Sequence, residues 1–315
     1  MQNNDFSEEI MSGNISKLLR HKEFMGQNKT PITAQFILTN KCNLRCVFCV
    51  NKKRWGNQEM SKNDAFEVLN DLKDLGTKGI EFTGGCEPTI HPNFSEILEY
   101  AISLNLTPAL VTNGVKLSSI PSDLLNKLDW IRVSINASRD LYKKIHGAEL
   151  YDEVMEGLEH ISNLSIPNKG VSYIYCKLSS MEDTQLLIDD LQKFHLDYFR
   201  FSIDVFSDLK FTISPLNLCS KSFPVISHSN RPTAIPKFCN IFYYKPVIDC
   251  SGLVYPCCTN MHREVLPLGK VKDIKKIISN KNIKLDLSKC LYCIYGSAND
   301  FIVNMDRKIK NENFV

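Results

Sequence analysis

AQFILTNKCNLRCVFC, residues 34–49, joins an apolar run to three closely spaced cysteines. The run AQFILT over 34–39 is rich in apolar and β-branched residues and ends in polar ones, which predicts a buried β-strand. Cys42, Cys46 and Cys49 follow it with the spacing C-x3-C-x2-C. We therefore expect a strand whose carboxyl end carries a loop of metal-binding or catalytic thiols.

The alternation of strand and helix patterns continues to residue 204. Further strands are predicted over 79–83, 108–112, 130–135, 171–176 and 198–203, and helices over 61–75, 93–104, 124–128, 139–163 and 182–194. Six strands that alternate with helices favour an α/β fold with a parallel sheet, either doubly wound or rolled into a partial barrel. In both architectures functional residues collect at the carboxyl ends of the strands.

The composition excludes several classes of protein. Lys+Arg of 38 against Asp+Glu of 35 gives a net charge of +3 without long basic runs, so we expect no nucleic-acid partner. The hydrophobic fraction of 43% and the charged fraction of 23% are those of a globular protein, which excludes disorder and collagen. No apolar run reaches the roughly 18 residues of a membrane span, and the N-terminus does not resemble a signal peptide. We expect a cytoplasmic protein that binds no membrane.

Twelve cysteines are many for a chain without an export signal. In a reducing cytosol, clustered cysteines indicate metal ligands or reactive thiols rather than disulfides. A second group consists of Cys239, Cys257, Cys290 and Cys293, in which a predicted hairpin precedes a C-x2-C pair. Four such thiolates suit either a zinc ribbon or a closed [4Fe–4S] cluster. The N-terminal trio has no fourth cysteine beside it, which would leave one iron of a [4Fe–4S] cluster open.

The cysteine loop resembles that of the radical S-adenosylmethionine (SAM) enzymes. Four segments carry the resemblance in the family's order: KCNLRCVFC (41–49), TGGCEPTIHP (83–92), TNG (112–114) and RVSIN (132–136). The resemblance implies a partial (β/α)6 barrel in which Cys42, Cys46 and Cys49 hold a [4Fe–4S] cluster with SAM on its open iron. The reduced cluster would split SAM to a 5′-deoxyadenosyl radical that takes a hydrogen atom from the substrate.

The same resemblance assigns contacts with SAM. The expected contact residues are Phe48, Gly84, Gly85, Glu87, Asn113, Ser134 and Asn136. Glycines let the backbone approach a ligand closely, and the Glu87 carboxylate can accept a hydrogen bond from the SAM ammonium group. Cys86 stands where the family usually has a glycine. Two spare cysteines, Cys176 and Cys219, are candidates for a catalytic thiol that faces the substrate.

The C-terminal cysteine group resembles a twitch domain, a shortened SPASM module that holds one auxiliary [4Fe–4S] cluster. Its expected ligands are Cys239, Cys257, Cys290 and Cys293, and Cys250 or Cys258 is the alternative for one of them. The expected domains are an N-terminal segment over 1–31, the partial barrel over 32–205, a linker or site-covering loop over 206–238 and the twitch domain over 239–315.

Within this family, the seventeen residues between Cys239 and Cys257 and the final C-x2-C are most similar to the aminocyclitol dehydrogenases of the butirosin pathway. The resemblance implies a two-electron oxidation of a small polar metabolite (a sugar, an aminocyclitol or a nucleoside-like molecule), with the auxiliary cluster as electron acceptor. It also implies an electron donor such as flavodoxin or ferredoxin. Radical epimerisation and peptide modification are the alternatives.

Three other functions are disfavoured. The family's nucleotide cyclases end in a Gly-Gly tail, whereas this chain ends in NENFV. Peptide-modifying members often carry a long N-terminal docking element, whereas only 31 residues precede the barrel here. A non-catalytic Fe–S or zinc scaffold would have no need of segments that match those contacting SAM.

Overall fold

The computed structural model describes residues 17–24, 29–204, 218–227, 235–261, 266–280, 282–290 and 293–305. Most of the expected N-terminal segment, and residues 206–217 and 228–234 of the expected linker, lie outside the described residues.

Within the described residues, the sheet has ten strands: β1 Thr33–Phe36, β2 Gly79–Phe82, β3 Thr107–Thr112, β4 Trp130–Ser134, β5 Asn168–Tyr175, β6 Tyr198–Ile203, β7 Val225–Ser227, β8 Val247–Ile248, β9 Leu253–Tyr255 and β10 Gly269–Lys270. Their order is β10-β9-β8-β1-β2-β3-β4-β5-β6-β7. Strands β1 to β7 pair in parallel, each with the next. The sheet is open, and it confirms the predicted α/β class with a partial barrel.

The helices between β1 and β6 are α1 Lys62–Asp74, α2 Phe94–Ser103, α3 Ser122–Leu125, α4 Arg139–His146, α5 Tyr151–Ser162 and α6 Met181–Leu191. After the barrel come α7 Cys258–Met261, α8 Ile274–Ser279 and α9 Gly296–Met305. The helical pattern predicted over 139–163 divides into α4 and α5 because Gly147 takes a left-handed conformation (φ +73°) that ends α4. Within the described part of the chain, every helix is too short or too polar to cross a lipid bilayer.

The core lies between the sheet and its helices. Strand residues such as Phe36, Phe82 and Phe199 are fully buried against the apolar faces of the helices. Alternate residues of the same strands face the other side of the sheet, because strand side chains point to opposite faces in turn. On that side Nε2 of Gln35 donates to Oε1 of Glu81 at 3.2 Å. The second face is therefore polar, at the place where a partial barrel has its interior.

The C-terminal hairpin extends this sheet. Strand β8 pairs in parallel with β1, and β9 and β10 follow as antiparallel neighbours. The two predicted hairpin strands are thus present, and they lie at the edge of the strand that leads into the cysteine loop. Two ion pairs join the segments as well: Lys245 with Glu81, at 2.8 Å, and Arg54 with Asp249. Strand β7 was not predicted, because its three residues are too few to show a periodic pattern.

Helix α5 contacts the loop after β3 at Gly157. A Cβ atom here would lie 2.4 Å from the backbone oxygen of Gly114 and 3.1 Å from Cβ of Leu117. Alanine is favoured in most helix interiors, but this contact cannot be relieved by moving a side chain. We expect Gly157→Ala to lower the free energy of unfolding by about 1–3 kcal/mol. Urea denaturation measures this, and Glu156→Ala on the exposed face of α5 is the control. A Gly157→Ala protein as stable as the wild type would show that α5 is not packed tightly against this loop.

Candidate functional site

Four loops follow the carboxyl ends of the neighbouring strands β1, β2, β3 and β4, and hydrogen bonds join them. The Glu87 N–H donates to the Lys41 carbonyl oxygen at 3.1 Å, linking the loops after β2 and β1. Nδ2 of Asn113 donates to Oδ1 of Asn43 at 2.6 Å, linking the loops after β3 and β1. The segments that the sequence analysis selected therefore lie together, as expected at one edge of a parallel sheet.

The three cysteines of the first loop share one small environment. Burial raises the pKa of the Cys42 thiol to about 11, and nearby Glu87 and Cys49 raise it further. Burial also raises the pKa of Cys46, with added contributions from Cys42 and Cys49. Cys42 and Cys46 thus both lie within the electrostatic influence of Cys49. Positive charge from bound iron would favour the thiolate forms that burial disfavours.

The chemistry of this donor set fits a [4Fe–4S] cluster, whose irons are held by cysteine thiolates. Across the described ranges, no three or more Cys, His, Asp or Glu side chains converge closely enough to hold one metal ion. A four-iron cluster is larger than a zinc ion, so its cysteine ligands stand farther apart. Cys42, Cys46 and Cys49 on one loop would hold three of its irons.

The glycine pair after β2 lies against the first strand of the sheet. Gly84 and Gly85 both have positive φ angles, of +75° and +27°. A Cβ atom at Gly85 would lie 2.5 Å from Cγ2 of Ile37, so only glycine fits this close approach. Next to the pair, Sγ of Cys86 donates to the Asn40 carbonyl oxygen at 2.9 Å. Cys86 is thus held on the backbone of the cysteine loop.

Glu87 is 2% exposed and both of its carboxylate oxygens accept hydrogen bonds. Oε1 accepts from the Thr89 N–H, from the Thr89 hydroxyl and from the Thr112 hydroxyl, at 3.1, 2.6 and 2.7 Å. Oε2 accepts from the Asn113 N–H at 2.6 Å. Burial nevertheless raises the pKa of Glu87 above its ordinary value. The carboxylate therefore connects the loops after β2 and β3, a role that the sequence analysis did not anticipate.

The polar residues at the end of β4 are also engaged. Oγ of Ser134 lies 3.1 Å from Oγ of Ser172 on β5. Oδ1 of Asn136 accepts from the Ile174 N–H at 2.7 Å, and the Asn136 N–H donates to Nε2 of His146 at 3.2 Å. The structure places these residues beside the cysteine loop through His146.

His146 was missed by the sequence analysis. Its Nδ1 lies 3.1 Å from Sγ of Cys46, although the two residues are 100 positions apart in the chain. Its ring stacks on Tyr142 with the centroids 4.3 Å apart, and the Phe48 ring meets it edge-on at 6.2 Å. Burial lowers the pKa of His146 to about 3, so the ring is neutral. No spacing rule connects it to the cysteines, and only the packing of α4 brings it there.

Members of the second cysteine group also lie near one another. Burial raises the pKa of Cys239 to about 12, and Cys293 and Cys290 raise it further. Burial likewise raises the pKa of Tyr295 well above its ordinary value, and Cys258 and Cys257 contribute to that shift. Because Tyr295 is two residues from Cys293, it connects the hairpin cysteines with the C-x2-C pair. Both Cys257 and Cys258 lie on this side of the module.

Cys250 belongs to the first site. Burial raises its pKa to about 11, and Asp249 adds to the shift while Arg54 opposes it. The Cys250 thiol also lies by the backbone of Asn40, the residue whose carbonyl oxygen accepts from Cys86. Cys250 is therefore placed beside the cysteine loop.

The two candidate catalytic thiols lie in different places. Cys176 is 3% exposed at the end of β5, where its Sγ accepts from the Ser179 hydroxyl at 3.5 Å. Cys219 is exposed, and its backbone exchanges two hydrogen bonds with the Gln185 side chain on α6. The structure thus places Cys176 at the same sheet edge as the four loops and Cys219 beside a helix.

Comparison with protein families identifies the first half of the fold. Residues 36–191 match the family model of the radical SAM superfamily. This stretch contains the cysteine loop and the three further loops described above. The chain therefore contains a radical SAM domain, and such a domain implies a [4Fe–4S] cluster and SAM.

Curated relatives match less than half of the chain. A probable GTP 3′,8-cyclase of Pyrococcus abyssi is 32% identical over 147 residues, and another of Saccharolobus islandicus is 36% identical over 141 residues. Each match covers 44% of this chain and 46% of the relative. The chain thus spans less than half the length of the curated relatives that it matches.

Solved structures share the fold over more of the chain. Streptococcus suis SuiB bound to its precursor peptide SuiA covers 94% of this chain and 76% of its own, with a TM-score of 0.63 and 16% identity. The enzyme anSMEcpe with bound AdoMet covers 88% of this chain and 84% of its own, with a TM-score of 0.57 and 14% identity. At these identities the likeness shows the fold alone.

The hydrogen bonds of Glu87 lead to a prediction about SAM binding. We expect Glu87→Ala to weaken SAM binding by more than about tenfold, because four donors lose their acceptor and two loops are released. Iron content should be nearly unchanged, since Glu87 is not a cluster ligand. Calorimetric titration of the reconstituted protein with SAM measures the affinity, and exposed Glu99→Ala is the control. Unchanged affinity in Glu87→Ala would show that the loop geometry does not depend on this carboxylate.

Proposed function

We propose that this chain is a radical SAM enzyme that oxidises a small polar metabolite by two electrons. The observation that carries the proposal is the convergence of the cysteine loop with the loops after β2, β3 and β4. When bound to Cys42, Cys46 and Cys49, a reduced [4Fe–4S] cluster supplies the electron that splits SAM into methionine and a 5′-deoxyadenosyl radical. The protein itself supplies binding, orientation and exclusion of water.

The residues around the loop would hold SAM in the following way. Gly84 and Gly85 present backbone close to the ligand. Glu87 acts mainly by fixing the loops, because its oxygens already accept four hydrogen bonds. Asn136 and Ser134 present polar groups at the end of β4, and Phe48 offers an aromatic ring beside the cysteines.

The second cysteine group would hold an auxiliary [4Fe–4S] cluster on Cys239, Cys257, Cys290 and Cys293. Cys290 and Cys293 contribute to the raised thiol pKa of Cys239, and Cys290 contributes to that of Cys293, which supports this set. The position of Cys250 beside the backbone of Asn40 favours Cys257 or Cys258 over Cys250 as the hairpin ligand. Cys258 is still an alternative to Cys257, since both lie near Tyr295.

The interior face of the sheet supports a polar substrate. Glu81 is buried there between Gln35 and Lys245, and Lys245 lowers its pKa against the effect of burial. Ser134 and Ser172 add hydroxyl groups on the neighbouring strands. Such side chains can hydrogen-bond the hydroxyl and amino groups of a sugar or an aminocyclitol. An electron donor such as a flavodoxin or a ferredoxin would reduce the first cluster.

A nucleotide cyclase is the second candidate function. The curated relatives are named as probable GTP 3′,8-cyclases, and they are 32–36% identical over 141–147 residues. A cyclase would use the same radical chemistry without net oxidation of the substrate. It therefore differs from the dehydrogenase in the mass of its product, which separates the two experimentally.

Iron content tests the two-cluster arrangement. Anaerobically reconstituted protein should bind about eight irons as two [4Fe–4S] clusters. Combined Cys42→Ala, Cys46→Ala and Cys49→Ala substitutions should leave about four irons and abolish SAM cleavage. Elemental analysis with Mössbauer spectroscopy measures both clusters. A wild-type protein with about four irons and one zinc would contradict the auxiliary cluster.

The proposed two-electron oxidation can be tested by following the second electron that the substrate loses. In this oxidation a secondary alcohol would lose a hydrogen atom from carbon, a proton from its hydroxyl group and one further electron, and Cys239, Cys257, Cys290 and Cys293 would hold the cluster that accepts that electron. Cys290→Ala with Cys293→Ala should therefore retain 5′-deoxyadenosine formation and lose the ketone product. Mass spectrometry of both products measures this, with exposed Ser288→Ala as the control.

Other outcomes of these assays would replace the proposed reaction. A product of unchanged mass that gains one deuterium at carbon in deuterated water would indicate epimerisation. If a single Cys176→Ala substitution abolished that incorporation, Cys176 would be the hydrogen donor. S-adenosylhomocysteine in place of 5′-deoxyadenosine would show that SAM serves as a methyl donor.

A further inference from the structure

The last turn of α4 holds three consecutive residues of the cysteine loop. The Arg45 N–H donates to the His146 carbonyl oxygen at 2.8 Å, and the Val47 N–H donates to the Ile145 carbonyl oxygen at 2.9 Å. Between these two contacts, Nδ1 of His146 lies 3.1 Å from Sγ of Cys46. The carbonyl groups are those that a helix leaves without intrahelical partners at its C-terminal end. The helix end therefore binds the loop through both its backbone and the imidazole.

Hydrogen bonding determines which ring nitrogen of His146 carries the proton. The Asn136 N–H donates to Nε2 at 3.2 Å, so Nε2 is the accepting nitrogen. An accepting Nε2 carries no proton, so the proton of the imidazole is on Nδ1, which faces Cys46. The residue is 1% exposed and stacked on Tyr142, so close packing prevents a ring flip that would exchange the two nitrogens.

We propose that His146 is a positioning residue whose Nδ1–H donates a hydrogen bond to the Cys46 thiolate and raises the reduction potential of the cluster on this loop. The inference rests on the proposed function, since it requires a [4Fe–4S] cluster there. A hydrogen bond to a ligand sulfur draws electron density from the cluster and favours the reduced form, which carries one more negative charge. A neutral ring does this without placing a full positive charge in a buried site.

The same ring connects the cluster loop to the SAM side of the site. Nε2 accepts a hydrogen bond from the backbone N–H of Asn136, one of the residues expected to contact SAM. Nδ1 faces Sγ of Cys46, an expected cluster ligand. His146 therefore fixes the position of Cys46 relative to the end of β4. Loss of the imidazole should alter the cluster potential and not only the stability of the fold.

A redox titration followed by electron paramagnetic resonance tests the proposal on the reconstituted full-length chain. The background carries Cys290→Ala and Cys293→Ala, so that only the first cluster contributes to the signal. In His146→Leu, the ratio of reduced to oxidised cluster at a fixed solution potential should fall about tenfold, equal to about 59 mV for a one-electron couple. His146→Asn keeps an N–H donor near the position of Nδ1. Its ratio of reduced to oxidised cluster should therefore be close to that of the parent background.

The matched control is a second buried histidine. Nε2 of His91 lies 2.8 Å from the Met60 carbonyl oxygen and its Nδ1 accepts from the Asn93 N–H at 3.2 Å, so both partners are backbone groups. His91→Leu should lower the melting temperature and leave the cluster ratio unchanged. An unchanged ratio in His146→Leu, with the iron content of its parent background, would overturn the proposal.

A measurement on the iron-free chain separates this proposal from the proposed function. Nitrogen NMR of isotope-labelled histidine should show the Nδ1–H tautomer for His146, and the His146→Asn spectrum identifies its signals. An Nε2–H tautomer would overturn the proposal whether or not a cluster forms. The Nδ1–H tautomer in a chain that binds no iron at Cys42, Cys46 and Cys49 would contradict the proposed function instead.

Discussion

The buried carboxylate of Glu87 is the interaction on which the geometry of the site depends. The loops after β1, β2 and β3 have little regular secondary structure, so their backbone groups need partners from outside each loop. Glu87 accepts from the loop after β3 and its own N–H donates to the loop after β1. A charged group in a nearly dry site is costly unless it is fully hydrogen-bonded, and here every donor comes from the residues that must be held. Because the buried Glu87 carboxylate needs all of these hydrogen bonds, it fixes the spacing of the loops.

Continuity of the sheet relates the two cysteine groups to each other. Strand β8 pairs with β1, so the hairpin between the groups is part of the same hydrogen-bonded layer as the strand that enters the first loop. The Lys245–Glu81 and Arg54–Asp249 ion pairs add contacts between the two regions. A layer of this kind resists relative movement, because any shift would break several hydrogen bonds together. The two cysteine groups are thereby held in a fixed relation to each other.

Local patterns carried most of the information about the fold. Short apolar and β-branched runs that end in polar residues identified β1 to β6, and the buried face of α1 was visible as Ala65, Val68, Leu69 and Leu72. The division between α4 and α5 was not visible, because a single Gly147 can either continue a helix or end it. The pairing of β8 with β1 was equally hidden, since strand partners that lie more than 200 residues apart leave no periodic signal.

The site shows the same limit at the level of single residues. The cysteine trio and the glycine pair could be predicted from sequence, because the members of each motif lie together on a single loop. Glu87 and His146 act through partners on other strands and helices, so their roles depend on contacts that only the folded chain creates. For Glu87 the residue was found from its motif, but its hydrogen bonds to four donors of the protein were not predicted. The positioning role of a residue is for this reason harder to predict from sequence than a contact with the ligand. Its hydrogen-bond partners lie far away along the chain, so the local sequence does not show them.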